Sequence, residues 1–254
     1  MWLRDWSAIP TNSFAGYILR LPLRLIPKGS VVSVRKGINR GMKWVVGSSI
    51  HGCWIGTYEL DKQGIVARFV KPGMTVLDIG GNAGFYTLAF SRLVGDSGHV
   101  YAFEPFAENA NNILKHVALN SLVNVSLLQM AVSDRGGVVG FHIASSNSMG
   151  SISDERNYVI PTNSLDGLIA EGEIPVPDVI KMDVEGAESL VLKGAKNLLG
   201  NKKTVLIIAL HGQRQRDECT KLLDSAGFDI FPLNGERHSS GQLEVDEIYA
   251  LPKK

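Results

Sequence analysis

The stretch from Thr75 to Glu104, TVLDIGGNAGFYTLAFSRLVGDSGHVYAFE, constrains the fold more than any other part of the chain. Thr75 to Ile79 is an apolar run with β-branched residues, long enough for a buried strand and too short for a helix. Gly80, Gly81 and Gly84 crowd the turn that follows, and Phe85, Leu88, Ala89 and Leu93 then recur at helical spacing. A second buried run, His99 to Phe103, ends on Glu104. Strand, glycine turn, helix, strand and carboxylate make one half of a nucleotide-binding crossover. Glycines let backbone amides approach a ligand with no Cβ in the way. The carboxylate, projecting beyond the second strand, can accept both hydroxyls of a ribose.

Spacing decides which nucleotide. A dinucleotide fingerprint needs G-x-G-x-x-G with a diphosphate on the helix N-terminus. Counted from Gly80, the second and third glycine positions fall on Asn82 and Phe85, and no G-K-[ST] supplies a phosphate-binding lysine. What remains, D-x-G-G-N-x-G with an acid at Glu104, resembles the first two motifs of class I S-adenosylmethionine (SAM) methyltransferases. SAM carries no phosphate, so such a loop needs no anion clamp and tolerates Asp78 beside it. A dinucleotide site and a purely structural turn are the competing readings.

Forty-four per cent hydrophobic and 20% charged residues in 254 are values of a globular chain with a sizeable core. No apolar run approaches the roughly 20 residues of a membrane span. Cys53 and Cys219 lie far apart and offer neither a disulfide framework nor a zinc spacing, so a reducing, cytoplasmic compartment is expected. The net charge of +1 is uneven. Residues 1–50 hold eight Lys/Arg and one acid, Asp5, leaving −6 on the rest. A basic arm on an acidic body suggests an anionic surface or substrate.

In chain order, Phe14 to Ile26 sets Arg20 and Arg24 four apart among apolar residues, with Pro22 interrupting. A peripheral membrane anchor and a helix packed on the catalytic domain both satisfy this pattern. Val31 to Val34 and Met42 to Val46 read as strands. Ser49 to Glu59 (SIHGCWIGTYE) reads either as a loop pinned by Trp54 or as an active-site cover to which Trp54, Tyr58 and Glu59 contribute. Leu60 to Val70 is an amphipathic stretch, closed by Lys71-Pro72-Gly73. The expected division is therefore a basic extension and cover over 1–59 and a catalytic domain over 60–254.

Beyond Glu104, the spacing predicts a helix over Phe106 to Asn120, a strand over Val123 to Met130 and another over Gly136 to Ile143. Ala144 to Asn163 is polar and aperiodic, expected to be an acceptor-recognition loop that includes Ser148 and Ser151. A short helix starts at Ser164, a plausible cap. A buried strand over Val179 to Met182 ends on Asp183, and one continuous helix is expected over Gly186 to Leu199. Thr204 to Leu210 is a strand ending on His211-Gly212, Arg216 to Ala226 a helix, and Phe228 to Leu233 and Val245 to Leu251 a closing strand pair joined by the polar turn Asn234 to Gln242. The alternation describes an α/β fold: a doubly wound, Rossmann-like, mostly parallel sheet with an antiparallel edge strand and an N-terminal extension.

Ligands of such sheets lie beyond the carboxyl ends of the strands, near the switch in strand order. The cofactor contacts expected there are Asp78, Gly80, Asn82, Gly84, Phe85 and Thr87 from the first turn and helix, and Glu104 and Pro105 after the second strand. Ala131, Val132 and Ser133 follow the third strand, and Asp183 completes the set. Asp183, Glu185 and His211 would lie beside the methyl group. A hydroxyl is a poor nucleophile until its proton leaves, so methylation at oxygen needs a general base or a metal. His211 suits the base because an imidazole can be neutral at working pH, with Asp183 or Glu185 orienting it. The same trio could hold Mg²⁺, but one imidazole among so few ligands fits that ion poorly, and no metal is expected.

HGCWIGTYE, VLDIGGNAGFYTL, FEPFAEN, AVSD and above all SLDGLI…PDVIKMDVEGAESLVLKGA resemble the FkbM-type SAM-dependent methyltransferases, over about two-thirds of the chain. The resemblance implies O-methylation of a hydroxyl on a sugar, glycolipid or polyketide-like acceptor, with S-adenosylhomocysteine as by-product. It places SAM contacts on Gly80, Asn82, Gly84, Glu104 and Ala131 to Ser133, and active-site duty on Asp183 and Glu185. The family often has an acid shortly before the histidine of the fifth strand, where this chain reads Ile208-Ala209-Leu210-His211, so more weight falls on Asp183 and Glu185. A nucleic-acid partner is not expected. Base N-methylation usually presents an Asn/Asp-Pro-Pro-aromatic turn where Asp183-Val184-Glu185-Gly186 stands, and the acidic body disfavours phosphate. A non-catalytic SAM-binding or membrane-adaptor protein would be favoured if Asp183, Glu185 and His211 pointed into the core.

Overall fold

The computed structural model describes Leu23 and residues 25–143, 150–152, 158–233, 235–238 and 243–253; of 141–143, 150–152 and 158 it describes the backbone. The Thr75–Ile79 run forms the strand expected of it (β3, after a two-stranded hairpin β1, Val31–Ser33, and β2, Lys43–Val45). It lies at the centre of a seven-stranded sheet. On one side come β4 (His99–Phe103) and β5 (Val125–Leu128), all parallel. On the other come β10 (Val179–Met182), β11 (Val205–Ala209), β13 (Glu247–Pro252) and the edge strand β12 (Phe228–Pro232). β13 runs antiparallel to both of its neighbours. β3, β10 and β11 are buried nearly throughout, as apolar runs covered by helices on both faces must be. Strand order reverses between β3 and β10, and that is where the first glycine turn opens.

The structure differs from the sequence expectations in three places. The stretch expected as one strand to Met130 ends at Leu128, and Ala131–Val132 (β6) joins a second, four-stranded sheet with Gly137–Ile143 (β7), Gly150–Ile152 (β8) and Tyr158–Asn163 (β9). Part of the expected loop is therefore strand: β9 pairs along β7 from Phe141–Tyr158 to Gly137–Thr162. Ser148 lies outside the described residues, as does the helix expected over residues 14–26 apart from Leu23, Leu25 and Ile26.

The single helix expected over 186–199 is two, α6 (Glu188–Lys193) and α7 (Lys196–Gly200), after α1 (His51–Ile55), α2 (Leu60–Phe69), α3 (Phe85–Val94), α4 (Ala107–Leu119) and α5 (Leu165–Ala170). The break is at Gly194, where a Cβ would stand 2.2 Å from the Ser133 carbonyl oxygen. Asp166 then caps the second helix, accepting hydrogen bonds from the Asn197 and Leu198 amides. α8 (Gln213–Ser225) follows β11.

The hairpin is joined to the body by His116 of α4, which has no solvent exposure. Its Nδ1 donates to the Ala83 carbonyl at 2.8 Å, its Nε2 accepts from the Val45 amide at 3.0 Å, and the ring stacks on Trp44 at 3.9 Å. Trp44, Cys53 and Trp54 share one apolar cluster with Val66, Phe85 and Tyr86, so the core is continuous across residue 59.

Candidate active site

Phe103 accepts from the Gly80 and Gly81 amides, which turns the chain sharply as it leaves β3. Gly80 has φ +80°, and a Cβ on it would lie 1.9 Å from the Asp183 carbonyl oxygen. This glycine is thus demanded by the neighbouring strand end rather than by a ligand. Asn82 also adopts a left-handed conformation, φ +48°, with its side chain accepting from the Ala83 amide. That turn aims the Asn82 N–H at Glu104 Oε2, 2.7 Å away, while Glu104 Oε1 accepts from the Phe106 amide at 2.9 Å. Burial lifts the Glu104 carboxyl to about 7 against these bonds.

A cleft of about 280 Å³ opens here, on the scale of small-molecule sites of roughly 300 Å³ upward. Of the expected cofactor contacts, Gly80, Asn82, Phe85, Glu104, Pro105, Ala131, Val132 and Asp183 line it. Asp78, Thr87, Gly84 and Ser133 do not. Asp78 and Thr87 are fully buried below the floor, bonded to each other at 2.6 Å. Gly84 packs on Ile113, and Ser133 is buried with its amide on the Asn163 carbonyl. Among the described residues, the cleft walls carry one cation, Lys181, against the acids Glu104, Asp183 and Glu185. Such a lining fits a ribose and a sulfonium cation and would repel a diphosphate, so SAM suits it and a dinucleotide does not.

Lys181 was not singled out from the sequence, although it interrupts an apolar strand. Its Nζ, nearly without solvent, stands 3.6 Å from Asp78 Oδ1, 3.7 Å from Asp183 Oδ2 and 3.3 Å from the Gly80 carbonyl. Burial would lower its pKa, but the Asp183 and Asp78 charges outweigh it and hold the ammonium above the usual lysine value. In turn, burial would raise Asp183, and Lys181, Lys62 and His211 together hold it below the ordinary carboxylate range.

Beyond β10 and β11 the structure brings Asp183, Glu185 and His211 together. His211 Nε2 lies 3.6 Å from Asp183 Oδ1 and 3.3 Å from Glu185 Oε2. Their side chains are 21, 32 and 36% exposed, so none lies in the core; Asp183 and Glu185 line the cleft, and His211 adjoins it through its contacts with them. Glu185 reaches it from φ +53°. The fourth member was missed: Glu188 at the start of α6, fully buried, accepts from His211 Nδ1 at 2.8 Å. The acid three residues beyond Glu185 in EGAE was its only sequence signal. That bond, with the charges of Glu185 and Asp183 and against partial burial, raises the imidazole from 6.5 to about 9. The expectation of an imidazole neutral at working pH is corrected accordingly: the ring is charged below about pH 9, and only its neutral form, populated as pH rises, can accept a proton. One ligand atom from each of Asp183, Glu185 and His211 falls within 4.8 Å, a span one small cation could occupy. The same carboxylates face Lys181 and the imidazolium.

The expected cover divides. Tyr58 lines the cleft, with Cys53, Ser49 and Ile50 beside it. Burial pushes the Cys53 thiol up to about 12, which removes it as a nucleophile. Trp54 is a core residue, its Nε1 donating to His51 Nδ1. Glu59 does not line the cleft: its Oε2 accepts from the Tyr86 hydroxyl at 2.9 Å and from Lys62 Nζ at 2.8 Å, and Lys62 also holds Glu247 at 2.7 Å. The Ser151 backbone belongs to β8, and its side chain lies outside the described part.

The residues 78–230 match the Methyltransferase FkbM domain, more than half of the chain. The chain belongs to the FkbM methyltransferase family. It is 32% identical over 226 residues to the hexuronic acid methyltransferase AglP of Haloferax volcanii, covering 88% of this chain and 87% of that protein. It is 30% identical over 155 residues to the 2-O-methyltransferase NoeI of Sinorhizobium fredii, covering 53% of this chain and 63% of that one. Among solved structures, the methyltransferase FkbM of Methylobacillus flagellatus superimposes with a TM-score of 0.50 at 18% identity, over 70% of this chain and 43% of that one. The FkbM chain described here therefore spans less than half of that protein and shares its methyltransferase fold. It is a SAM-dependent methyltransferase. Among its described residues, no helix is long and apolar enough to cross a membrane.

Proposed function

We propose that this FkbM methyltransferase transfers the methyl group of SAM to a hydroxyl of a sugar-type acceptor, with His211 as general base. The observation that carries this reading is the convergence of His211 on Asp183 and Glu185, two carboxylates of the cleft that Glu104 and Asn82 also line. When bound, SAM supplies an electrophilic methyl on a sulfonium. Glu104 would accept the ribose hydroxyls, and the Asn82 amide keeps that carboxylate aimed. Tyr58 and Tyr86 wall the cleft beside Asp183 and exclude water from the line of attack. In its neutral form, His211 Nε2 would take the proton of the acceptor hydroxyl as that oxygen receives the methyl group. The carboxylates of Asp183 and Glu185 stabilise the imidazolium that results. General-base help of this kind is worth roughly a hundred- to ten-thousand-fold.

The names of AglP and NoeI support a sugar acceptor and transfer to oxygen. An acid-rich rim favours an uncharged hydroxyl over an anionic group. The test is a pair of measurements on the whole chain. Calorimetry should show SAM and S-adenosylhomocysteine binding in wild type and in H211A alike, while H211A loses at least a hundredfold in turnover of a sugar acceptor. Wild-type turnover in H211A would overturn the base. A product methyl released by mild alkali would identify an ester and move transfer to a sugar carboxylate, which is already ionised and needs no base.

A further inference from the structure

We propose that Glu188 is the positioning residue of the site: it fixes which nitrogen of His211 faces the acceptor and ties that ring to the turn carrying Glu185. This inference rests on the reading of His211 as base and adds a residue whose role neither the motif nor the comparisons assign.

One oxygen does both tasks. Glu188 Oε1 accepts from His211 Nδ1 at 2.8 Å and from the Gly186 amide at 3.0 Å. Its Oε2 is buried without a hydrogen-bond partner among the described residues, so the carboxylate has committed its one good acceptor to these two donors. A carboxylate can only accept, so the Nδ1 bond obliges that nitrogen to carry hydrogen. Once the ring is neutral, its lone pair therefore sits on Nε2, the nitrogen directed at Asp183 and Glu185. Without Glu188 the two tautomers compete, and the one with hydrogen on Nε2 cannot accept the acceptor's proton.

The charged groups facing the ring come from two elements. Asp183 and Glu185 lie on the turn after β10, and Glu188 opens α6. The other neighbours turn their charges elsewhere. On α8, Arg214 pairs with Glu218 and Arg216 with Asp246; on β13, Glu247 pairs with Lys62. Glu188 differs from the two other acids in being fully buried, so its interaction with the ring is the least screened by water. The Gly186 turn has a second support, Gln215 Nε2 donating to the Gly186 carbonyl. Removing the Glu188 charge should therefore spare the turn while releasing the ring.

The experiment is ¹⁵N-histidine NMR on full-length wild type, E188Q and E188D across pH, read beside turnover. In wild type, the His211 ring should show hydrogen on Nδ1 when neutral and a titration midpoint well above that of a free histidine. E188Q should bring the midpoint down toward about 6.5, mix the tautomers, and cut kcat at least roughly tenfold with SAM affinity unchanged. E188D, which keeps the charge on a shorter arm, should recover part of both the midpoint and kcat. A single Nδ1–H tautomer and a wild-type midpoint in E188Q would overturn the proposal, as would the same result in E188A if E188Q does not fold. The ring signals are read without turnover, so positioning stands or falls separately from the base role tested by H211A.

Discussion

Glu104 carries a pH dependence that belongs to cofactor capture. Its carboxyl titrates near 7 because burial opposes the charge, yet ribose hydroxyls need the ionised form to donate to. Below that value, binding must first expel a proton, so SAM affinity should fall up to tenfold for each unit of pH below about 7. Calorimetry from about pH 8 down to about pH 5.5 reads this directly. E104Q should bind roughly ten- to a hundredfold more weakly, the worth of hydrogen bonds to a charged acceptor, and lose the pH dependence. The carboxylate itself was legible in the sequence as the acid ending the second strand of the crossover. Lys181 and Glu188 were not. Each is a charged group inside an apolar context, and its meaning rests on partners a hundred and about twenty residues away.

At the scale of elements, the glycine turn after β3 does more than approach a ligand. The Gly80 Cα abuts the Asp183 carbonyl, so the end of the cofactor strand and the end of the catalytic strand share one van der Waals contact. G80A combines a Cβ at 1.9 Å from backbone oxygen with a left-handed φ of +80°. It should cost on the order of 2–4 kcal/mol of stability and weaken SAM binding and turnover together, because separating the strands disturbs both ends of the cleft. Urea denaturation beside calorimetry checks it, and an unaltered midpoint would remove the contact from the account. The break between α6 and α7 has the same origin. Gly194 continues a helical pattern perfectly well in sequence, and only the Ser133 carbonyl pressed against it ends the helix. Sequence periodicity reports which face a helix buries and carries no record of a backbone crossing that face.

For the whole molecule, His116 of α4 ties the N-terminal hairpin to the cofactor loop, beside Asn120, whose side chain bonds both the amide and the carbonyl of Lys43. His116 is neutral in the fold, its pKa lowered from 6.5 to about 4 by burial. The unfolded chain takes up its proton first, so this contribution is complete above about pH 6.5 and is lost as pH falls toward 4. It amounts to about 3 kcal/mol at most. Urea midpoints measured through that window should fall in wild type and lose part of that fall in H116Q, whose overall stability should be lower near neutrality. Equal acid sensitivity in the two would remove His116 as its source.

The parallel sheet, the SAM-type crossover and the strand ends where chemistry would gather were legible in the chain, because these follow from apolar runs, glycine spacing and residues adjacent in it. Only the folded chain shows that the pKa of His211 is raised to about 9, that Lys181 pairs with both Asp78 and Asp183, that Glu59 is spent on Lys62 and Tyr86, and that Glu188 stands behind the imidazole. Each of these is a matter of distance and burial between residues remote in sequence. Electrostatic energy depends on that separation and on the water excluded around it, and neither is written in the order of the residues.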